Sequence, residues 1–131
     1  MPAGRPDRVI HGDARRGNCV VTGNGGRYLL DFERTSLGPA EWDLRSTEVA
    51  VDTLGTVSSA EYDEFCSAYG ADVRSWDGYD VMRSVRELRL VTFALQITGQ
   101  DPAAEREARH RVACLRGLQG RRPWAWSPVG L

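Results

Sequence analysis

Two short apolar runs joined by a glycine-rich turn constrain this 131-residue chain more than any other stretch. Cys19-Val20-Val21-Thr22 reads as a strand. Gly23-Asn24-Gly25-Gly26 reads as a turn, since these residues tolerate positive φ. Tyr28-Leu29-Leu30 then returns as a second strand. Antiparallel pairing brings the residues just outside the two strands side by side, and those residues are Asn18 and Asp31. An amide oxygen and a carboxylate can then converge on one hard cation. Just upstream lies His11-Gly12-Asp13-Ala14-Arg15-Arg16-Gly17-Asn18, which adds Asp13 as a further carboxylate near the same end of the ribbon.

The length suits one domain with a single hydrophobic core, spanning 1–131. No apolar run approaches a membrane span, and the first ten residues lack the apolar stretch of a signal peptide. A cytoplasmic protein is the expectation. Three cysteines, Cys19, Cys66 and Cys114, form no C-x-x-C pair and read as reduced, buried thiols. The net charge of −1 argues against a dedicated nucleic-acid binder. Charge is unevenly spread, at +2 over residues 1–40, −8 over 41–80 and +5 over 81–131. An acidic middle could attract a cationic small molecule, or could simply be a set of solvated helix faces.

From residue 40 onward the pattern is helical. A first helix is expected over about 40–52. Ser58-x-x-Glu61 is a capping box opening a second, with Tyr62, Phe65, Cys66 and Tyr69 on one face and Gly70 as its C-cap. Val81, Val85, Leu88, Thr92 and Leu95 mark the expected inner face of a long third helix, widened by Met82, Val91 and Phe93. Its Arg83, Arg86 and Arg89 are expected to face solvent. Asp101-Pro102 supplies an N-cap and a first-turn proline for a fourth helix with an inner stripe of Ala104, Ala108, Val112 and Leu115. His110 is expected on the surface, and the tail tryptophans Trp124 and Trp126 are expected to dock on the core. The fold class is α+β, mostly helical, with one small β-hairpin at 9–33 carrying the loops of interest and a helical, substrate-side region at 40–120.

The polar residues define a chemistry. Transfer of a phosphoryl group to an alcohol needs a group that receives or orients the hydroxyl proton, and Asp13 fits. The phosphates need Mg²⁺, which takes oxygen ligands, and Asn18 and Asp31 offer two. His11 is better suited to bracing the loop by hydrogen bonds than to acting as a base. Metal-dependent phosphoester hydrolysis would need more ligands than Glu33 and two distant histidines provide.

With these residues in view, 11–44, reading HGDARRGNCVVTGNGGRYLLDFERTSLGPAEWDL, resembles the catalytic core of the aminoglycoside phosphotransferase and choline kinase-like family. The resemblance implies a protein-kinase-like fold, of which this chain would be the helical C-lobe. It implies ATP or GTP as donor and Mg²⁺ as cofactor. Asp13 becomes the catalytic aspartate, Asn18 and Asp31 the magnesium ligands. Asp43, in Glu41-Trp42-Asp43-Leu44, resembles the family's aspartate that holds the catalytic loop through backbone N–H groups. His11 supports that loop, and Glu33 and Arg15 are candidate substrate contacts. Many members carry a second histidine where this chain has Arg15.

The family's nucleotide-binding N-lobe holds a phosphate-gripping lysine. This sequence has no lysine and only ten residues before His11, so the expectation is a catalytic lobe without its N-lobe, weak or inactive alone. The acceptor would be a small-molecule hydroxyl, aminoglycoside-like or another amino alcohol. The alternative expectation is a non-catalytic remnant or binding module. In either case, an apolar lobe surface left uncovered would favour a dimer or a partner protein.

Overall fold

The computed structural model describes residues 6–99 and 101–129. Eight elements of regular structure follow one another among them: β1 (Arg8–Ile10), β2 (Cys19–Val21), β3 (Arg27–Leu29), β4 (Ser36–Gly38), α1 (Glu41–Asp52), α2 (Ser59–Tyr69), α3 (Tyr79–Gln96) and α4 (Pro102–Leu115). Short 3-10 turns at Arg16–Asn18, Phe32–Arg34 and Val73–Ser75 link them. The α+β, mostly helical class expected from the sequence is what the chain adopts.

The expected hairpin forms, with Cys19 opposite Leu29 and Val21 opposite Arg27. A second antiparallel pair was not expected: β1 lies against β4, with Arg8 opposite Gly38 and Ile10 opposite Ser36. Its strands are three residues long and far apart in sequence, and 35–39 has the Ser, Gly and Pro content of a loop. The pairing depends on close approach rather than on a pattern. A Cβ added to Gly38 would meet Ile10 Cδ1 at 3.0 Å. The hairpin and the loops beside it thus hang from a second ribbon that runs into α1.

The helices begin where their caps dictate. Ser58 accepts from the Glu61 backbone N–H while the Glu61 carboxylate accepts from Ser58 N, so both halves of the capping box are made. Gly70 closes α2 in the left-handed region at φ 86°. Asp101 caps α4 through Ala103 N, with Pro102 in the first turn. α3 packs on both α1 and α4. One apolar cluster joins Leu44, Val73 and Tyr79, with Phe65 and Trp76 against it. The other joins Val91, Cys114 and Trp126, with Leu54, Leu90, Val112 and Trp124. The tail tryptophans dock on the core as expected.

The inner face of α3 differs from the expected one. Tyr79, Met82, Glu87, Val91 and Ala94 are buried, whereas Val81, Val85, Leu88, Phe93 and Leu95 are exposed. A charged residue takes the central inner position because partners receive it. Glu87 accepts from Arg122 Nε and Nη2 at 2.7 Å each and from Thr53 Oγ1 at 2.6 Å. α4 shows the same substitution of a paired ion for an aliphatic. Arg111 is buried, donating to Leu90 O, Ser127 O and Glu107, and Leu115 is exposed instead. His110 is half-buried rather than on the surface, its Nε2 3.2 Å from Trp124 O. All three cysteines are free, but Cys19 is exposed and only Cys114 is buried. Among the described residues, no helix is long and apolar enough to cross a membrane.

Candidate active site

The loop between β1 and β2 is held in place from below by the first turn of α1. Asp43 accepts from His11 N–H (2.7 Å) on one carboxylate oxygen and from Gly12 N–H (2.9 Å) on the other. Trp42 Nε1–H donates to Gly12 O at 2.9 Å. Adjacent residues of α1 therefore grip three backbone groups of the loop. Gly12 has φ 84°, and a Cβ there would run into the Arg34 carbonyl. Both facts require glycine between His11 and Asp13.

His11 is buried, and its ring ties the loop to the returning end of the hairpin. Nε2 lies 2.8 Å from Leu30 O, while Nδ1 lies 3.3 Å from Asp13 N–H. One neutral tautomer serves both, with Nε2–H donating and Nδ1 accepting. The ring also packs 4.9 Å from Phe32. Both nitrogens are engaged by backbone, which is a bracing arrangement.

Asp13 and Asn18 meet directly. Asn18 is 5% exposed, and its Nδ2 donates to Asp13 O at 2.9 Å and to Asp13 Oδ2 at 3.2 Å. That use of the amide nitrogen leaves the amide oxygen as the atom available to a ligand. Asn18 O accepts from Leu30 N–H at 2.9 Å, so the chain reaches Asp31 one residue after a bond to Asn18. Asp31 itself is a non-glycine residue in the left-handed region, at φ 67° and ψ 60°. Such conformations persist where the surroundings over-determine them, and they concentrate at functional sites. The hairpin thus brings the three candidate residues to one end of the ribbon. Arg15 sits above, half-exposed, with Nε 3.4 Å from Asp13 Oδ2. Glu33 lies exposed in the 3-10 turn after Asp31.

Among the described residues, no group of three or more His, Cys, Asp and Glu side chains could hold a metal ion. The set at the ribbon end is of another kind, one amide and carboxylates, and its donors are oxygens. Oxygen donors suit Mg²⁺, which draws its remaining ligands from water and phosphate.

The sequence reading passed over a set of cations beside the loop. Arg45 is 2% exposed, with its guanidinium carbon 3.3 Å from the centroid of the Trp42 ring, and Arg89 lies over the same ring at 5.9 Å. Burial first, and then Arg86 and Arg89, hold the Arg45 guanidinium down at about 10. Burial also lowers Arg86, which is half-buried and not solvent-facing as expected, while Asp13 acts on it in the opposite direction. A groove of about 300 Å³ opens here, lined by Gly12, Arg34, Trp42, Arg89 and the β1–β4 ribbon. The only warning in the sequence was the spacing of Arg86 and Arg89, three apart on one helix face. Of the ten acids of 41–80, Asp43 is engaged with the loop, Glu48 and Asp52 with Tyr79, Asp72 with Tyr62 and Arg74, and Asp80 with Arg83. None of the acids of 41–80 lines this groove.

The loop, the hairpin and the first turn of α1 thus meet around His11, Gly12, Asp13 and Asn18. Residues 1–88 match the phosphotransferase enzyme family, and the chain belongs to it. The matched span runs from the start of the sequence to the middle of α3; it contains His11, Asp13, Asn18, Asp31 and Asp43 and stops just short of Arg89. No match is found among the curated proteins or among the solved structures.

Proposed function

We propose that this chain is the catalytic lobe of an ATP- and Mg²⁺-dependent phosphotransferase acting on a hydroxyl of a small molecule, with GTP as the other possible donor. The observation that carries the reading is the Asp13–Asn18 contact at the end of a hairpin that returns to Asp31. Asp13 orients the acceptor hydroxyl and receives its proton as the oxygen attacks. Asn18, through its amide oxygen, and Asp31, through its carboxylate, are the residues that would hold Mg²⁺. When bound, the ion neutralises charge on the transferring phosphates. His11 and Asp43 keep the loop at a fixed height, so that Asp13 needs little reorganisation at the moment of transfer. Arg15 restrains Asp13 from the solvent side, and Glu33 stands at the rim as an acceptor contact.

Positioning supplies most of the rate in this chemistry. The sequence contains no lysine to hold the α- and β-phosphates, so we expect transfer by this chain alone to be slow. The test is radiolabelled phosphoryl transfer from ATP to a panel of sugar and amino-alcohol acceptors, with and without Mg²⁺. Asp13→Asn should abolish whatever Mg²⁺-dependent transfer the native chain shows. Equal transfer by native and variant chains would end the catalytic reading.

A second reading, a binding module that associates with a partner, is favoured by one specific observation. Val9, Val21, Tyr28, Leu29, Leu30, Phe32 and Leu37 are all exposed on the ribbon half of the molecule. A contiguous apolar surface marks an interface more often than free surface. Light scattering after size exclusion separates the readings: a monodisperse monomer with no tendency to associate speaks against a covered ribbon face.

A further inference from the structure

Four arginines gather at the groove beside the catalytic loop, two of them lining it. Arg34 and Arg89 line it, Arg45 lies on the Trp42 ring that forms its wall, and Arg86 stands one helical turn before Arg89 on α3. The ion pairs among the described residues engage Arg15, Arg74, Arg83, Arg109, Arg111 and Arg122, and none of these four. Arg45 is almost fully buried, and its Nε and Nη1 find no hydrogen-bond acceptor among the described residues. Asp13 and Asp43 offset part of the charge on Arg45, and Asp13 part of that on Arg86, but neither carboxylate forms an ion pair with them. Like charges left in excess destabilise a fold unless something else answers them. Arginine elsewhere in this protein is used with care, as the Glu87–Arg122 and Glu107–Arg111 pairs show. This set, cationic in excess, sits where Trp42 holds Gly12, one residue from Asp13.

We infer that this groove binds an oxyanion, a carboxylate or phosphate group, through Arg34, Arg89 and the cations behind them. The guanidinium fork matches both groups by paired N–H···O bonds, and the buried Arg45 and half-buried Arg86 behind add positive charge. The natural bearer is the acceptor, which makes the substrate an anionic alcohol rather than the amino sugar suggested by the acidic middle of the sequence. The nucleotide's own phosphates are the other source of the same chemistry. The inference rests on Asp13 marking the point of transfer.

The test reads binding without turnover. The Trp42 indole N–H, assigned with Trp42→Phe, is followed by NMR in the full chain while inorganic phosphate, gluconate or glucosamine is added. Phosphate and gluconate should each saturate a shift, and glucosamine should give none. Arg34→Gln and Arg89→Gln should each weaken anion binding by about tenfold. Both positions are exposed, and thermal melts establish that the variants fold. Should Arg89→Gln melt early, Arg89→Lys retains the charge without the fork and should bind at an intermediate strength. MgATP distinguishes the sources. Displacement of phosphate by MgATP assigns the groove to the nucleotide, and phosphate binding indifferent to MgATP assigns it to the acceptor. No saturable shift with either anion, or equal affinity in the native and glutamine variants, overturns the inference. That failure would leave the role of Asp13 standing, whereas transfer insensitive to Asp13→Asn removes that role whatever the groove binds.

Discussion

Gly12 shows how much a single position without a side chain can decide. Asp43 and Trp42 fix its amide and carbonyl, its φ is positive, and the Arg34 backbone occupies the space of a Cβ. Gly12→Ala should therefore cost about 2 kcal/mol or more, from strain plus the displaced ribbon, read by chemical denaturation. A second single-residue effect concerns Glu48, which is buried against Tyr79 and Asp52. Burial first, then its hydrogen bond to Asp52, pushes the carboxyl up to about 9. A carboxyl with a folded value above its unfolded one holds its proton longer in the native state. Stability from this group is full below the unfolded value of 4.5, and is lost as pH rises towards about 9. Glu48→Gln should flatten the decline in denaturation midpoint between pH 5 and 9, and a decline parallel to that of the native chain would contradict the neutral state. Neither Gly12 nor Glu48 stands out in the sequence. One is a glycine in a loop, the other an acid on an amphipathic helix, and only the tertiary neighbours give them their roles.

The helices were the most legible elements, because their signals are local. Ser58 with Glu61, Asp101 with Pro102, and Gly70 each act within a few residues of themselves. Ser58→Ala should destabilise the fold by about 1 kcal/mol, the usual worth of an N-cap, measured by urea denaturation. The inner faces of α3 and α4 were less legible, since periodicity ranks an aliphatic above an ion. Glu87 and Arg111 win those positions through partners at distant points in the chain, Arg122 in the tail and Leu90 on the neighbouring helix. Removing one partner is then expensive. Arg122→Ala leaves Glu87 buried with Thr53 alone, and a loss of about 3 kcal/mol is expected, the low end of the range because Arg122 is partly exposed. A double replacement by apolar residues should recover part of it, and additive losses would speak against a coupled pair. The β1–β4 ribbon was invisible for a related reason. Its three-residue strands have no alternation to read, and their register is set by Gly38 against Ile10 and by Gly12 against Arg34.

Across the whole molecule the division is between a site that can be read and surroundings that cannot. The hairpin argument placed Asn18 beside the route to Asp31, and the structure adds the direct bond from Asn18 to Asp13. The spacing of polar residues around a turn is a geometric constraint, so it survives the passage from sequence to structure. Charge counted by segment is not such a constraint. The paired acids of the middle segment face Tyr79, Tyr62 and the loop amides, while arginines from the turn before β4 and from α3 line the groove. Family membership follows from residues 1–88.

The most direct measurement is of a divalent ion, with Mn²⁺ as the paramagnetic stand-in for Mg²⁺, titrated into the native chain and followed by electron paramagnetic resonance. Native chain should bind one Mn²⁺, more tightly with ADP present, and Asn18→Ala and Asp31→Asn should each weaken that binding by about tenfold or more. Asp13→Asn should leave it nearly unchanged, because Asp13 is assigned to the acceptor hydroxyl. Binding that is unaffected by either ligand variant, or a native chain that takes up no ion at all, would contradict a metal site at the end of the hairpin.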